Sequence, residues 1–180
     1  MLMTNNTFSD KQISLAKAED AFAITQLLNK AYRGEEARKG WTTEADIIEG
    51  DQRTNNEEVS ALIHKDKSDF LLYKKDEEII GCINTQVKEG ALYIGMLSVE
   101  PAFQNAGIGK KLIKASEEFA LAHNCTYSYM TVIDIRNELI KFYNRLGYYD
   151  TGERIPFVED AVSGKHLQPL RFMVMKKDLV

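Results

Sequence analysis

A mixed α/β fold is predicted by three features of this 180-residue chain. Three extended runs between residues 70 and 99 follow one another across short turns, strand and helix patterns alternate after residue 107, and the apolar spacing switches between the two corresponding periods. Together they describe an antiparallel meander feeding a parallel strand–helix–strand unit.

In chain order, residues 1–11 are polar and are expected to form a loose tail, followed by a single domain over residues 12–180. QISLAK reads as a short strand. Asp20 is placed to cap a helix that carries Ala21, Ile24, Leu27, Leu28 and Ala31 at helical spacing. The stretch that follows mixes turn residues with two short helical patterns, EADIIEG opened by Thr42 or Thr43 and EEVSALIHK opened by Asn56. FLLYKK, IIGCINTQVK and ALYIGMLSV are the meander strands, with turns at Lys75 to Glu77 and at Glu89 to Gly90. A helix from Gly107 to about His123 presents Ile108, Leu112, Ala115, Phe119 and Ala122 as an apolar stripe. It leads into the strand TYSYMTVI, expected to run parallel to ALYIGMLSV. Asn137 opens a last helix with Leu139, Phe142, Tyr143 and Leu146 on one face and Gly147 at its end. YYDTGERIPFVED and LRFMVMKKDL then read as strands around a polar loop from Asp160 to Gln168.

The composition narrows the function classes. With 44% hydrophobic residues and a formal charge of −4, the chain is neither disordered nor broadly basic, which argues against a nucleic-acid-coating surface. No run approaches the ~20 apolar residues of a membrane span and the start lacks a signal-peptide pattern, so a cytoplasmic location is expected. Cys82 and Cys125 lie in apolar runs and read as small buried hydrophobes. His64, His123 and His166 have no metal-ligand spacing, and no metal is expected.

The stretch VEPAFQNAGIGKKL is chemically distinctive. Glycines at 107 and 109 open a helix whose first turn offers unpaired N–H groups and a partial positive charge, an anion site with no side chains in the way. Lys110, Lys111 and Lys114 add cations where the helix dipole disfavours them, which makes sense beside an anion. An ordinary turn under solvated lysines is the alternative. A Walker loop fails because Lys111 replaces the required hydroxyl and Gln104 the first glycine. A dinucleotide fingerprint fails at Leu112.

Gln104-x-x-Gly107-x-Gly109 after LSVEPAFQ resembles the acetyl-CoA-binding motif of the GNAT superfamily of N-acetyltransferases, and NELIKFYNRLGYYDTGE resembles that family's next segment. The resemblance covers roughly residues 12 to 178. It implies a mixed sheet with an antiparallel N-terminal meander, a splayed parallel central pair and flanking helices. It implies acetyl-CoA as acyl donor, held at Leu97, Ser98, Val99, Gln104, Asn105, Ala106, Gly107, Ile108, Gly109, Lys110, Asn137 and Tyr143. The Leu97 N–H is expected to polarise the thioester carbonyl, and the Tyr143 hydroxyl to serve the leaving sulfur. Many relatives dimerise through C-terminal strands, so a homodimer is a further implication.

The acceptor is expected to be a small-molecule or peptide amine. At pH 7 a lysine-like amine is neutral in roughly one molecule in 2,500 and an α-amine in about one in ten, so a proton acceptor is needed. The segment RGEEARKGWTTEAD supplies the candidates: Glu44 as base or cation site, Trp41 as a pocket wall and Arg33 as a partner for an acidic group. Tyr127 and Tyr129 share one side of their strand and are expected to line the pocket. The acidic balance mildly favours cationic acceptors. The alternative to an enzyme is a GNAT-like module that binds acyl-CoA without turnover.

Overall fold

The computed structural model describes residues 8–180. Its strands are β1 (Ile13–Leu15), β2 (Ile48–Glu49), β3 (Ser68–Lys75), β4 (Glu78–Lys88), β5 (Ala91–Val99), β6 (Tyr127–Ile133), β7 (Tyr149–Pro156), β8 (Lys165–His166) and β9 (Arg171–Asp178). The α-helices are α1 (Ala21–Tyr32), α2 (Gly34–Ala37), α3 (Asn56–His64), α4 (Ile108–Ala122) and α5 (Asn137–Arg145). Seven strands form one sheet in the order β1-β3-β4-β5-β6-β9-β7, antiparallel except for β5 against β6. The meander is the expected one. Its two hairpins turn on Asp76–Glu77 and Glu89–Gly90, each pair at positive φ, the geometry that follows the twist of the strands.

Helix α4 packs Leu112, Ile113, Ala115 and Phe119 on one face of the sheet, against Leu92, Ile94, Met130 and Val132. Helices α1 and α3 cover the other face over β3 and β4, where Phe70, Leu72 and Cys82 meet Ile24, Leu28 and Val59. Burial of these side chains, at about 25 cal/mol per Å² of apolar surface, is what holds the helices on.

Three expectations need correction. Residues 8–11 are not a tail: Phe8 is 4% exposed within the core, Ser9 bonds Glu118 through both its N–H and its hydroxyl, and Asp10 pairs with Lys111 at 3.1 Å. Residues 1–7 of the expected tail lie outside the described residues. EADIIEG makes a single turn, with the Ile47 and Ile48 N–H groups on the Glu44 carbonyl, and then becomes β2. Tertiary contacts decide this: the Thr42 hydroxyl is held by the Ala31 carbonyl at 3.1 Å, and Ile48 is buried and pairs with His166 of β8. The polar loop between β7 and β9 is thereby stitched to the segment between α2 and α3. At α3, Asn55 rather than Asn56 is the cap, accepting from the Glu58 N–H at 2.9 Å.

Gly164 makes that stitch possible. Its φ is +92°, and a Cβ there would overlap the Glu49 carbonyl oxygen. Gly164→Ala is expected to cost about 1–3 kcal/mol and to expose the Leu167 amide, which donates to the Ile47 carbonyl at 2.9 Å. Thermal unfolding and hydrogen exchange at Leu167 check both parts.

The central strands diverge. β5 pairs with β6 only over Ala91–Tyr93 against Tyr127–Tyr129, whereas β6 stays on β9 as far as Ile133. Near the point of divergence β5 bulges: Cys82 faces Ser98 but Asn84 faces Gly95, so Met96 and Leu97 share one partner position, and Met96 has φ +52°. Helix α5 fills the gap with Leu139 and Tyr143.

Candidate functional site

Two cavities open on either side of this divergence. The outer one is a groove of ≈ 630 Å³ lined by the end of β5, the glycine loop, α5 and Trp41. The inner one, of ≈ 180 Å³, lies between β5, β6 and the segment after α1. Tyr32, Leu97, Leu139 and Tyr143 line both, so the bulge and these side chains form a shared wall.

The glycine loop shapes the groove through its backbone. Asn105 and Gly107 have φ of +69° and +79°, and α4 begins with the Lys111 N–H on the Gly107 carbonyl at 3.1 Å. That leaves the N–H groups of the first turn without intrahelical partners. A Cβ on Gly107 would meet nothing, so the glycine is required by its left-handed φ; at Gly109 a Cβ would stand 3.5 Å from the Phe142 ring, where bulk narrows the groove. Lys110, Lys141 and Arg145 surround this floor, and the Trp41 and Phe142 rings, 5.4 Å apart, wall it. Free N–H donors, three cations and an aromatic wall along one groove fit an elongated, phosphate-bearing ligand such as acetyl-CoA.

Some of the residues expected at the cofactor have structural contacts of their own or lie outside the groove. The Gln104 side chain accepts from the Trp41 N–H at 2.9 Å and donates to Thr42 and to the Val99 carbonyl, fastening the Trp41 segment to β5. Gly40 lets it approach, since a Cβ there would lie 2.5 Å from Gln104 Oε1. Ser98, Ala106 and Asn137 line neither cavity: Ser98 is buried, and Ala106 and Asn137 are exposed. Lys111 and Lys114 turn away from the groove to Asp10, Tyr73 and Glu118. Leu97, Val99, Gln104, Asn105, Gly107, Ile108, Gly109, Lys110 and Tyr143 do line it.

At the shared wall, the Tyr32 hydroxyl donates to the Leu97 carbonyl, which fixes the bulge. Burial pushes Tyr32 up to about 12 and Tyr143 well above the ordinary phenol range. Both are therefore neutral donors at physiological pH, and Tyr143 is among the residues that line both cavities. Burial also pushes the Cys82 thiol up to about 12 and raises that of Cys125, so neither is poised as a thiolate nucleophile.

The residues expected around an acceptor are dispersed. Arg33 is 2% exposed and structural: its Nε and Nη2 donate to Glu44 Oε2 at 3.3 and 3.1 Å, and its Nη1 donates to the Gln52 and Ser163 carbonyls. It lines neither of the two facing cavities, whereas Glu44 lines the inner one. Trp41 lines the groove and not the inner cavity. Tyr127 and Tyr129 sit where β5 and β6 are still paired and form an aromatic row with Tyr93, capped by Lys176; neither lines the groove or the inner cavity. Sequence reasoning missed Tyr32, Arg53, Arg136, Lys141 and Arg145. Only the last pair had a local signal, being four apart on α5 and off its apolar stripe.

Among the described residues no helix is long and apolar enough to cross a membrane. In overall shape the chain resembles the ribosomal-protein-S18-alanine N-acetyltransferase of Escherichia coli, with TM-score 0.68, 12% identity and coverage of 93% of this chain and 92% of that one. It also resembles an N-acetyltransferase of Staphylococcus aureus Mu50, with TM-score 0.70, 14% identity and coverage of 93% and 98%. A third similar structure is yncA of Salmonella typhimurium, solved with its cofactor acetyl-CoA, with TM-score 0.66, 19% identity and coverage of 93% of each chain. These likenesses establish the fold. The sequence profile described as the acetyltransferase (GNAT) family matches residues 22–148, a span that runs from α1 to the end of α5 and contains both the glycine loop and the Tyr143 wall; the chain belongs to the GNAT family of acetyltransferases.

Proposed function

We propose that the chain is an N-acetyltransferase that passes an acetyl group from acetyl-CoA to a primary amine by direct attack, with both substrates bound together. The observation that carries this reading is the meeting of the two cavities at Leu97 and Tyr143, which sets a donor in the groove against an amine in the inner cavity. Bound acetyl-CoA supplies the activated acetyl thioester. The first turn of α4 binds phosphate through its N–H groups, with Lys110, Lys141 and Arg145 adding charge. The exposed backbone at Leu97 and Val99 pairs with an extended arm as an added strand would. The Leu97 N–H stands at the bulge as the donor for the carbonyl oxygen on which charge develops. Tyr143 donates its hydroxyl to the departing sulfur. Glu44 is the one carboxylate lining the inner cavity among the described residues, and it receives the proton of the amine, directly or through water. The exposed β7 edge, with Tyr149 and Ile155 uncovered, is the surface offered for a homodimer.

Titration calorimetry with acetyl-CoA, CoA and ATP is expected to show the first two binding and ATP much weaker; preference for ATP overturns the reading. Thiol release across a panel of amines separates transfer from binding alone. Gly107→Val forces a β-branched side chain into a left-handed φ and is expected to weaken acetyl-CoA binding about tenfold or more. Unchanged affinity removes the role given to the glycine loop.

A further inference from the structure

The inner cavity is lined by two arginines and one glutamate, and the glutamate is already paired with Arg33, which stands outside the lining. Arg136 is 5% exposed; its Nε donates to Glu138 at 2.6 Å and its Nη2 to the Trp41 carbonyl at 3.3 Å, but its Nη1 is buried and meets no acceptor. Arg53 lays its guanidinium on the Tyr32 ring at 4.8 Å, and its buried Nε also meets no acceptor. Buried guanidinium groups are nearly always paired, so two arginines lining one small cavity, with donors left over and the lining's one carboxylate already on Arg33, point to an anionic group in the ligand.

We infer that the acceptor substrate is a free α-amino acid, its carboxylate held by Arg53 and Arg136 and its amine lying on the Glu44 side, facing Leu97. This rests on the transferase reading above. The cavity, ≈ 180 Å³, is small beside the groove of ≈ 630 Å³, which favours an acceptor whose amine and carboxylate are separated by few atoms. Ile83, Met130, Val132 and Phe172 give an aliphatic side chain an apolar wall. A polyamine or aminoglycoside would set further cations against the two arginines. A peptide N-terminus would bring a neutral amide where the carboxylate belongs. The net charge of −4 favours cations at long range, but the local charge of the cavity decides what is held at contact distance.

The test uses the full chain with acetyl-CoA and three probe sets: the proteinogenic α-amino acids, their α-amides, and the matching amines without the carboxyl group. Thiol release is measured for each, and calorimetry reads amino-acid binding without turnover. The amino acids are expected to exceed their amides about 100-fold or more in kcat/KM, as buried donors left unpaired reject the analogue. Arg53→Gln and, separately, Arg136→Lys are expected to collapse that ratio, with amino-acid affinity falling in parallel. Amino-acid binding without thiol release upholds the carboxylate site and removes the transferase reading. Thiol release with amides or polyamines at equal or greater efficiency overturns the site and leaves the transferase reading standing. Absence of both binding and release overturns both.

Discussion

Tyr143→Phe is expected to lower kcat for acetyl transfer about 100-fold while leaving the affinity for acetyl-CoA within a factor of about two. The asymmetry follows from the role proposed for the hydroxyl. The ring is held by Phe142, Tyr148 and the core, and phenylalanine keeps that packing. Tyr143 lines both cavities, and in the proposed reaction its hydroxyl is missed when negative charge gathers on the departing sulfur. Burial pushes this phenol well above its ordinary range. That makes complete proton transfer to a thiolate of pKa about 8.5 unfavourable, and the residue acts by donating a hydrogen bond instead. A pH profile of kcat should accordingly rise with deprotonation of the amine and show no break from Tyr143. Full turnover in the phenylalanine variant, with thiol release followed continuously, would place the leaving-group donor elsewhere.

Legibility in the sequence divides along contact range. The meander, α4 and α5 were readable because their signals are local: alternating strands, turn residues, and apolar positions at helical spacing. The glycine loop was readable for the same reason, since positive φ at 107 and free N–H groups in a first turn are consequences of a few adjacent residues. What the side chains around it do was not. Lys111 looked like a phosphate ligand until Phe8 carried Asp10 against it, and Gln104 looked like a loop ligand until Gly40 brought the Trp41 segment under it. The strand at Ile48 has its partner at His166, and Arg33 donates to a carbonyl 130 residues away. No window of sequence holds both members of such pairs. Charge misled in a related way, because an acidic total concealed a cavity lined by two arginines.

Arg33→Met is expected to destabilise the fold by about 3–5 kcal/mol, the cost of leaving a buried charge without its partner. Arg33 is 2% exposed, and Glu44 keeps a 9% exposed side chain whose Oε2 takes both guanidinium donors. Once Arg33 is gone, Glu44 loses both guanidinium donors to its Oε2 and keeps only the more distant charge of Arg53 across the cavity. The loss also releases the Gln52 and Ser163 carbonyls, hence the α2–α3 segment and the loop before β8 together. Glu44→Gln removes the opposite charge yet keeps an acceptor of similar shape. Its cost should be smaller, because Arg33 retains two carbonyl acceptors and a side-chain oxygen. The double variant Arg33→Met/Glu44→Leu is the sharper comparison: replacing a buried pair by apolar groups is often near neutral, so it should recover much of the stability lost in Arg33→Met. Chemical unfolding of these proteins together with Glu44→Leu alone, which completes the cycle, measures this directly. Recovery of stability without recovery of thiol release would separate the two uses of Glu44, as the partner that holds Arg33 and as the carboxylate facing the amine. Additive losses would show instead that the loops depend on the hydrogen bonds to Gln52 and Ser163 more than on the charge pair.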